Sequence, residues 1–169
     1  MTHLITERLT MRRCQPSDFD ALYDLVSDID VVRMTATWPH PADPDLTRER
    51  CQPFDPANGM VGVVLLDGTL IGSMGLAKKH DEKPQLGYMF ARPHWGKGYA
   101  TEMARALIDH CWATYDWPII RADAFADNPA SAHVLKKLGF AELQGSMGHS
   151  VARGDSAPLR VFQLLRPES

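Results

Sequence analysis

The chain has 169 residues, 44% apolar and 23% charged, which suits one globular domain over residues 1–169 and leaves little room for two. A formal net charge of −3 without a dense basic tract argues against a nucleic-acid partner. No run of about eighteen apolar residues offers a membrane span, and Met1-Thr2-His3-Leu4 lacks the basic-then-apolar layout of an export signal, so no membrane partner and a cytoplasmic location are expected.

In chain order, Thr10 to Arg13 reads as a short strand. Pro16-Ser17-Asp18 reads as a helix start, with Ser17 the N-cap candidate and Asp20 at the third helical position. Phe19, Leu22, Tyr23, Val26 and Ile29 recur at helical spacing to about residue 29. Pro39, Pro41 and Pro44 then impose a loop before a short helix around residues 45 to 52, a region that either walls a substrate site or simply connects. Asp43, Asp45, Glu49 and, later, Asp155 either draw a cationic acceptor or solubilise the surface. Met60 to Leu66, the Asp67-Gly68 turn and Thr69 to Ala77 read as a hairpin, and after a polar break over Lys78 to Pro84 a third strand covers Gln85 to Ala91. Cys14, Cys51 and Cys111 are far apart and form no Cys-x-x-Cys, so three partly buried free thiols are expected. The seven histidines show no metal-ligand spacing, and no metal is expected.

The segment after that third strand is the most informative. Trp95-Gly96-Lys97-Gly98-Tyr99-Ala100 joins a strand to a helix whose apolar spine is Met103, Leu107 and Cys111. Two glycines allow a tight path without side chains in the way, and the free N–H groups of the helix start would face an anion such as a pyrophosphate. The segment is neither a P-loop nor a dinucleotide fingerprint, because no hydroxyl directly follows a lysine and Thr101 stands at the third glycine position. The same grammar recurs further on. Ile119 to Ala126 reads as a strand, Asn128 caps a helix that opens on Pro129, and Gly139 stops it in a left-handed conformation. Phe140 to Leu143 and Pro158 to Leu165 read as last strands, with a loop over Gly145 to Asp155. This order fits a mixed α/β sheet with helices on both faces.

The combination resembles the GNAT superfamily of acyltransferases, and within it the RimJ/RimL-like protein N-acetyltransferases. The resemblance rests on Thr6-Glu7-Arg8-Leu9-Thr10-Met11-Arg12 as a first strand, on Leu86-Gly87-Tyr88 followed by Pro93 to Glu102, and on Asn128-Pro129-Ala130-Ser131 with Leu135 and Gly139-Phe140. It implies a central mixed sheet in which two adjacent parallel strands, Leu86 to Ala91 and Ile119 to Ala126, splay apart to form an acyl-CoA cleft. It implies acetyl-CoA as cofactor, with pyrophosphate on the amides of Trp95, Gly96, Lys97, Gly98, Tyr99 and Ala100. It further implies a contribution from Asn128 and direct attack by an amine without an acyl-enzyme. Backbone N–H groups at Met89 and Phe90 would stabilise the oxyanion.

Several residues depart from the family pattern. Pro93 stands where a Gln or Arg often opens the phosphate motif, and neighbouring Arg92 either reaches phosphate or is a solvated strand-end cation. Leu135 occupies the position of a tyrosine that protonates the departing thiolate in many members, a task for which the resemblance offers Ser131 instead. Gln85 stands where the subfamily often has a glutamate, which leaves the general base open among His94, His110, Tyr88 and Asp127, with His149 a substrate contact. An α-amine, with a reference pKa near 8, needs less help than a lysine amine near 10.4. The acceptor is accordingly a protein N-terminus or a small amine such as a polyamine, amino acid or antibiotic. The different-class alternative is a noncatalytic acyl-CoA-binding regulator. Monomer and homodimer are both open, with Trp38, Trp95, Trp112 and Trp117 as interface candidates.

Overall fold

The computed structural model describes residues 3–79 and 82–168; the first two residues read for an export layout, the centre of the polar break at 80 and 81, and residue 169 lie outside them. The N-terminal strands β1 (His3–Ile5) and β2 (Thr10–Arg13) pair antiparallel and lead to helices α1 (Phe19–Val26), α2 (Ile29–Val32) and α3 (Pro44–Arg50). Strands β3 (Gly59–Leu66), β4 (Thr69–Ala77) and β5 (Gln85–Phe90) form an antiparallel meander. Helix α4 (Tyr99–Thr114), strand β6 (Ile119–Phe125) and helix α5 (Pro129–Lys137) follow, then β7 (Ala141–Glu142), β8 (Ser146–Ser150) and β9 (Asp155–Leu165). The sheet runs β1-β2-β3-β4-β5-β6-β9-β7, with β8 also on β9. Asp67 and Gly68 adopt φ of 50° and 81°, the left-handed pair that a two-residue hairpin turn requires.

Alternation along the strands divides the apolar residues between two layers. Val64 and Met60 face one core with Met103, Leu107, Cys111 and Leu135 of α4 and α5, whereas Val63 and Met89 face a second with Leu22, Leu25, Val26 and Val32 of α1 and α2. Helices therefore cover both faces of a mixed sheet. Among the described residues only β5 and β6 pair in parallel, and only through Gln85 with Arg121 and Leu86 with Ala122; beyond that step the two strands part.

Some local expectations are corrected. The first helical segment begins as a 3-10 turn at Pro16–Asp18, so Ser17 lies inside it and does not cap it. Asp18 does the polar work instead, accepting from the Gln15 N–H at 2.9 Å and gripping Arg12 at 2.8 Å. α1 stops at Val26 because Asp28, extended and accepting from Asp30 N–H at 3.0 Å, starts a separate short helix. Residues 6 to 9 are a turn between β1 and β2 rather than strand, closed by Thr6 N–H to the Leu9 carbonyl at 2.9 Å. The expected loop over Gly145 to Asp155 contains β8, which pairs with β9 from Ser146–Leu159 to Ser150–Asp155. All three cysteines are free and buried, Cys14 and Cys51 with sulfurs 3.4 Å apart. Among the described residues no helix is long and apolar enough to cross a membrane, and no group of three His, Cys, Asp or Glu side chains is placed to hold a metal ion.

Candidate active site

The parting of β5 and β6 opens a cleft of roughly 750 Å³, within the range of small-molecule sites. Its floor is the β5 edge from Gln85 to Phe90 and the β6 edge from Ala122 to Phe125. One end is the start of α4, the other the loop after α2 (Met34, Thr35, Ala36) with Gly148 and His149 of β8. Ala91 N–H bonds to the Ile71 carbonyl at 2.9 Å, and alternation along the regular β4–β5 register turns the Met89 N–H to β4 as well. The Tyr88 and Phe90 N–H groups turn the other way, to the open side. Of the two expected oxyanion donors, Phe90 therefore has the available amide and Met89 a wall position.

At the α4 end the backbone is exposed to ligand. Gly96 and Gly98 have φ of 74° and 80°, a region side chains rarely enter, and Gly98 is the N-cap with no side-chain hydrogen bond to the first turn. The first-turn N–H groups of this 16-residue helix are thus unclaimed and carry its positive dipole end. Buried His94 Nδ1 also lacks a partner beside them, and His94, Trp95, Gly96, Gly98, Tyr99, Ala100 and Thr101 line the cleft. A polyanion such as a pyrophosphate fits this donor set.

The turn is held from outside. Glu102 accepts from Thr6 Oγ1 at 2.5 Å, Arg8 N at 3.0 Å and Arg8 Nε at 2.7 Å, and Arg8 also donates to the Lys97 carbonyl at 3.0 Å while its guanidinium lies over the Tyr99 ring. Burial alone would raise the Glu102 pKa; the Thr6 and Arg8 hydrogen bonds outweigh it and hold the carboxyl below its ordinary value. Trp95 Nε1 donates to the Phe90 carbonyl at 2.7 Å, fastening the turn to the strand end. The cations beside the turn are elsewhere. Arg92 is held by Asp28 at 2.6 Å and Asp30 at 3.5 Å, tying α2 to the end of β5, and neither Arg92 nor the Lys97 side chain lines the cleft. Lys137 and His133 of α5 do.

α5 starts differently. The Asn128 side chain accepts from the Ser131 N–H at 3.3 Å, as the cap expectation required. Ser131 Oγ lies 2.8 Å from the Tyr88 hydroxyl, and burial raises the Tyr88 pKa while Ser131 lowers it. A protonated phenol is therefore joined to the serine hydroxyl. Leu135 is packed in the core, and a phenol reaches Ser131 from β5, an approach that no spacing within α5 could reveal.

Among the base candidates, Asp127 is engaged by Arg153 through two 2.9 Å bonds and by Arg33 at 2.9 Å, and the Arg153 hydrogen bond leads the effects that hold its pKa below the ordinary carboxylate value. His110 lies outside the cleft, with its pKa lowered by burial and by Arg13. Asp43 caps α3, and neither it nor Asp45, Glu49 or Asp155 reaches the cleft. Asp123, not singled out by any motif, does line it, with Gln85 Nε2 donating to its Oδ2 at 3.2 Å. Burial raises the Asp123 pKa, opposed by Gln85 and Arg121.

A family model described as an acetyltransferase (GNAT) domain matches residues 8–141. The chain is 28% identical over 176 residues to an N-acetyltransferase of Bacillus licheniformis named p20, covering 99% of this chain and 98% of that protein. In fold it is similar to a RimL ribosomal L7/L12 α-N-protein acetyltransferase solved with coenzyme A, at a TM-score of 0.84 and 17% identity over 97% and 98% of the two chains. It is also similar to a spermidine N-acetyltransferase from Vibrio cholerae solved with CoA and spermine, at 0.77 and 18% over 95% and 96%.

Proposed function

This chain belongs to the GNAT acetyltransferase family, and from that premise we propose that it transfers an acetyl group from acetyl-CoA to a protein N-terminal α-amine, by direct attack in a ternary complex. The observation that carries the reading is the β5–β6 gap ending at an uncapped α4 start. The amides from Trp95 to Ala100 hold the pyrophosphate, assisted by Lys137 and His133. The open edges of β5 and β6 take the pantetheine arm as an extra strand, and the acetyl thioester supplies the electrophilic carbonyl. Phe90 N–H stabilises the charge that develops on the carbonyl oxygen.

Ser131 donates a proton to the departing sulfur, and Tyr88 restores it through their 2.8 Å hydrogen bond. Asn128 acts by fixing the turn from which Ser131 projects. The acceptor preference follows from amine pKa, since an α-amine is already partly neutral near pH 8. The RimL-like fold adds support, while the spermidine enzyme keeps a small amine as the second reading.

Calorimetry with acetyl-CoA tests the cofactor. Peptides with free N-termini and a panel of small amines, assayed by thiol release and product mass spectrometry, test the acceptor. Acetylated peptide is the expected product. Acetylated spermidine without acetylated peptide would transfer the reading to small amines, and tight binding without any product would make the protein a noncatalytic acyl-CoA binder.

A further inference from the structure

We infer that Asp123 is the catalytic base of this protein, with Gln85 its positioning residue. The inference rests on the acetyl-transfer reading and deepens it. Gln85 and Arg121 form the first of two paired steps between β5 and β6, and Asp123 is the first β6 residue beyond the last of them, so it stands where the cleft opens. Among the described residues it is the only carboxylate lining the cleft.

Strand alternation puts Asp123 and Gln85 on the sheet face opposite Tyr88 and Ser131. Met89, two positions along from Gly87 and four from Gln85, belongs to the α1–α2 layer, whereas Tyr88 packs with the α4–α5 layer. Base and acid therefore approach the gap from opposite sides, as an amine entering on one side and a thiolate leaving on the other require. The Gln85 amide occupies one carboxylate oxygen of Asp123 and leaves the other for an ammonium group. A glutamate at position 85 would put two carboxylates side by side; glutamine lets one ionise. The groups around Asp123 are Arg121 on its own strand and neutral Gln85 on β5, with Val161 opposite on β9 and His149 of β8 in the same cleft. Partial burial raises the carboxyl, with the Gln85 hydrogen bond and then Arg121 opposing it, and the net direction is toward the working range of a base.

The acceptor arrives as an ammonium ion. Asp123 takes one proton and passes it to solvent, the freed nitrogen pair forms the C–N bond, and the C–S bond breaks with its electrons on sulfur. Ser131 protonates that sulfur, Asp123 passes the second nitrogen proton to solvent as well, and solvent returns one proton to the Ser131–Tyr88 pair. Amide, free thiol and one released proton balance the step.

The test uses acetyl-CoA with the best acceptor from N-terminal Ser, Ala and Met peptides and spermidine. Asp123→Asn should lower kcat/KM about 100-fold near pH 7, with the deficit shrinking toward pH 10 as the ammonium loses its proton unaided, and acetyl-CoA affinity unchanged. Exchanging the pair, Gln85→Glu with Asp123→Asn, keeps the hydrogen bond and should recover most of the rate together with the parent pH profile, and the profile is the readout that the hydrogen bond alone would not restore. An Asp123→Asn protein within about three-fold of the parent at all pH values, or an exchanged pair that folds and binds acetyl-CoA yet stays as slow as Asp123→Asn, would overturn the inference while leaving acetyl transfer intact. Parent protein that yields no acetylated product overturns both.

Discussion

The two strand-to-helix crossings of this chain solve the same problem in opposite ways. At the end of β5, Gly96 and Gly98 take left-handed conformations and no side chain satisfies the first turn of α4. At the end of β6, Asn128 bonds the Ser131 N–H and closes the start of α5. On the proposed function, the difference lets one motif serve two ends: a helix start without a cap offers its backbone to an anion, whereas a capped one is structurally complete and offers a side chain, here the Ser131 hydroxyl.

Between the crossings, the largest expected effect comes from giving the open one a side chain. Gly98→Val leaves the free turn to relax out of its φ of 80° and makes binding restore it, at roughly 2 kcal/mol, so acetyl-CoA affinity by calorimetry should weaken about 30-fold. Changing the capped crossing should affect turnover and not binding: Ser131→Ala should lower kcat about ten-fold with acetyl-CoA affinity unaltered, and Tyr88→Phe should follow it in the same direction. Unaltered kcat in Ser131→Ala would assign sulfur protonation to water.

The outside clamp of the open crossing gives a pH test. Because the Glu102 pKa is depressed in the folded protein, its stabilisation is present above the unfolded value and is lost as pH falls through the folded one. Glu102→Gln should cost about 2 kcal/mol near neutrality and show less loss of melting temperature on acidification below the ordinary glutamate range. The smallest effect is expected from Asn128→Ala, about 1 kcal/mol or 2–4 °C in Tm, with acetyl-CoA affinity preserved. A marked loss of affinity there would mean that both helix starts bind the cofactor.

Both crossings were legible because their signals are local. The glycines around Lys97, Asn128 before Pro129 and the alternation in the hairpin each act within a few residues, and each element formed near its expected bounds. Signals failed where a longer contact intervened. Ser17 has good capping chemistry, but Arg12 recruits Asp18 and shifts the turn. β8 lacks an apolar alternation, being Ser-Met-Gly-His-Ser, and exists because β9 is long enough to pair with it. Arg92 looked free for phosphate until α2 brought Asp28 to it.

By itself the sequence determined the hairpin, the two strand-to-helix crossings, the bare α4 start and the family, since backbone conformation and hydrophobic period are written in neighbouring residues. Tertiary structure alone decided which polar side chains of the cleft meet. Tyr88 meets Ser131 across 43 positions and Gln85 meets Asp123 across 38, and those meetings depend on strand register and on how far β5 and β6 part. Register is settled by packing the two cores together, so a residue's distance along the chain carries no information about which hydroxyl or carboxylate it will face.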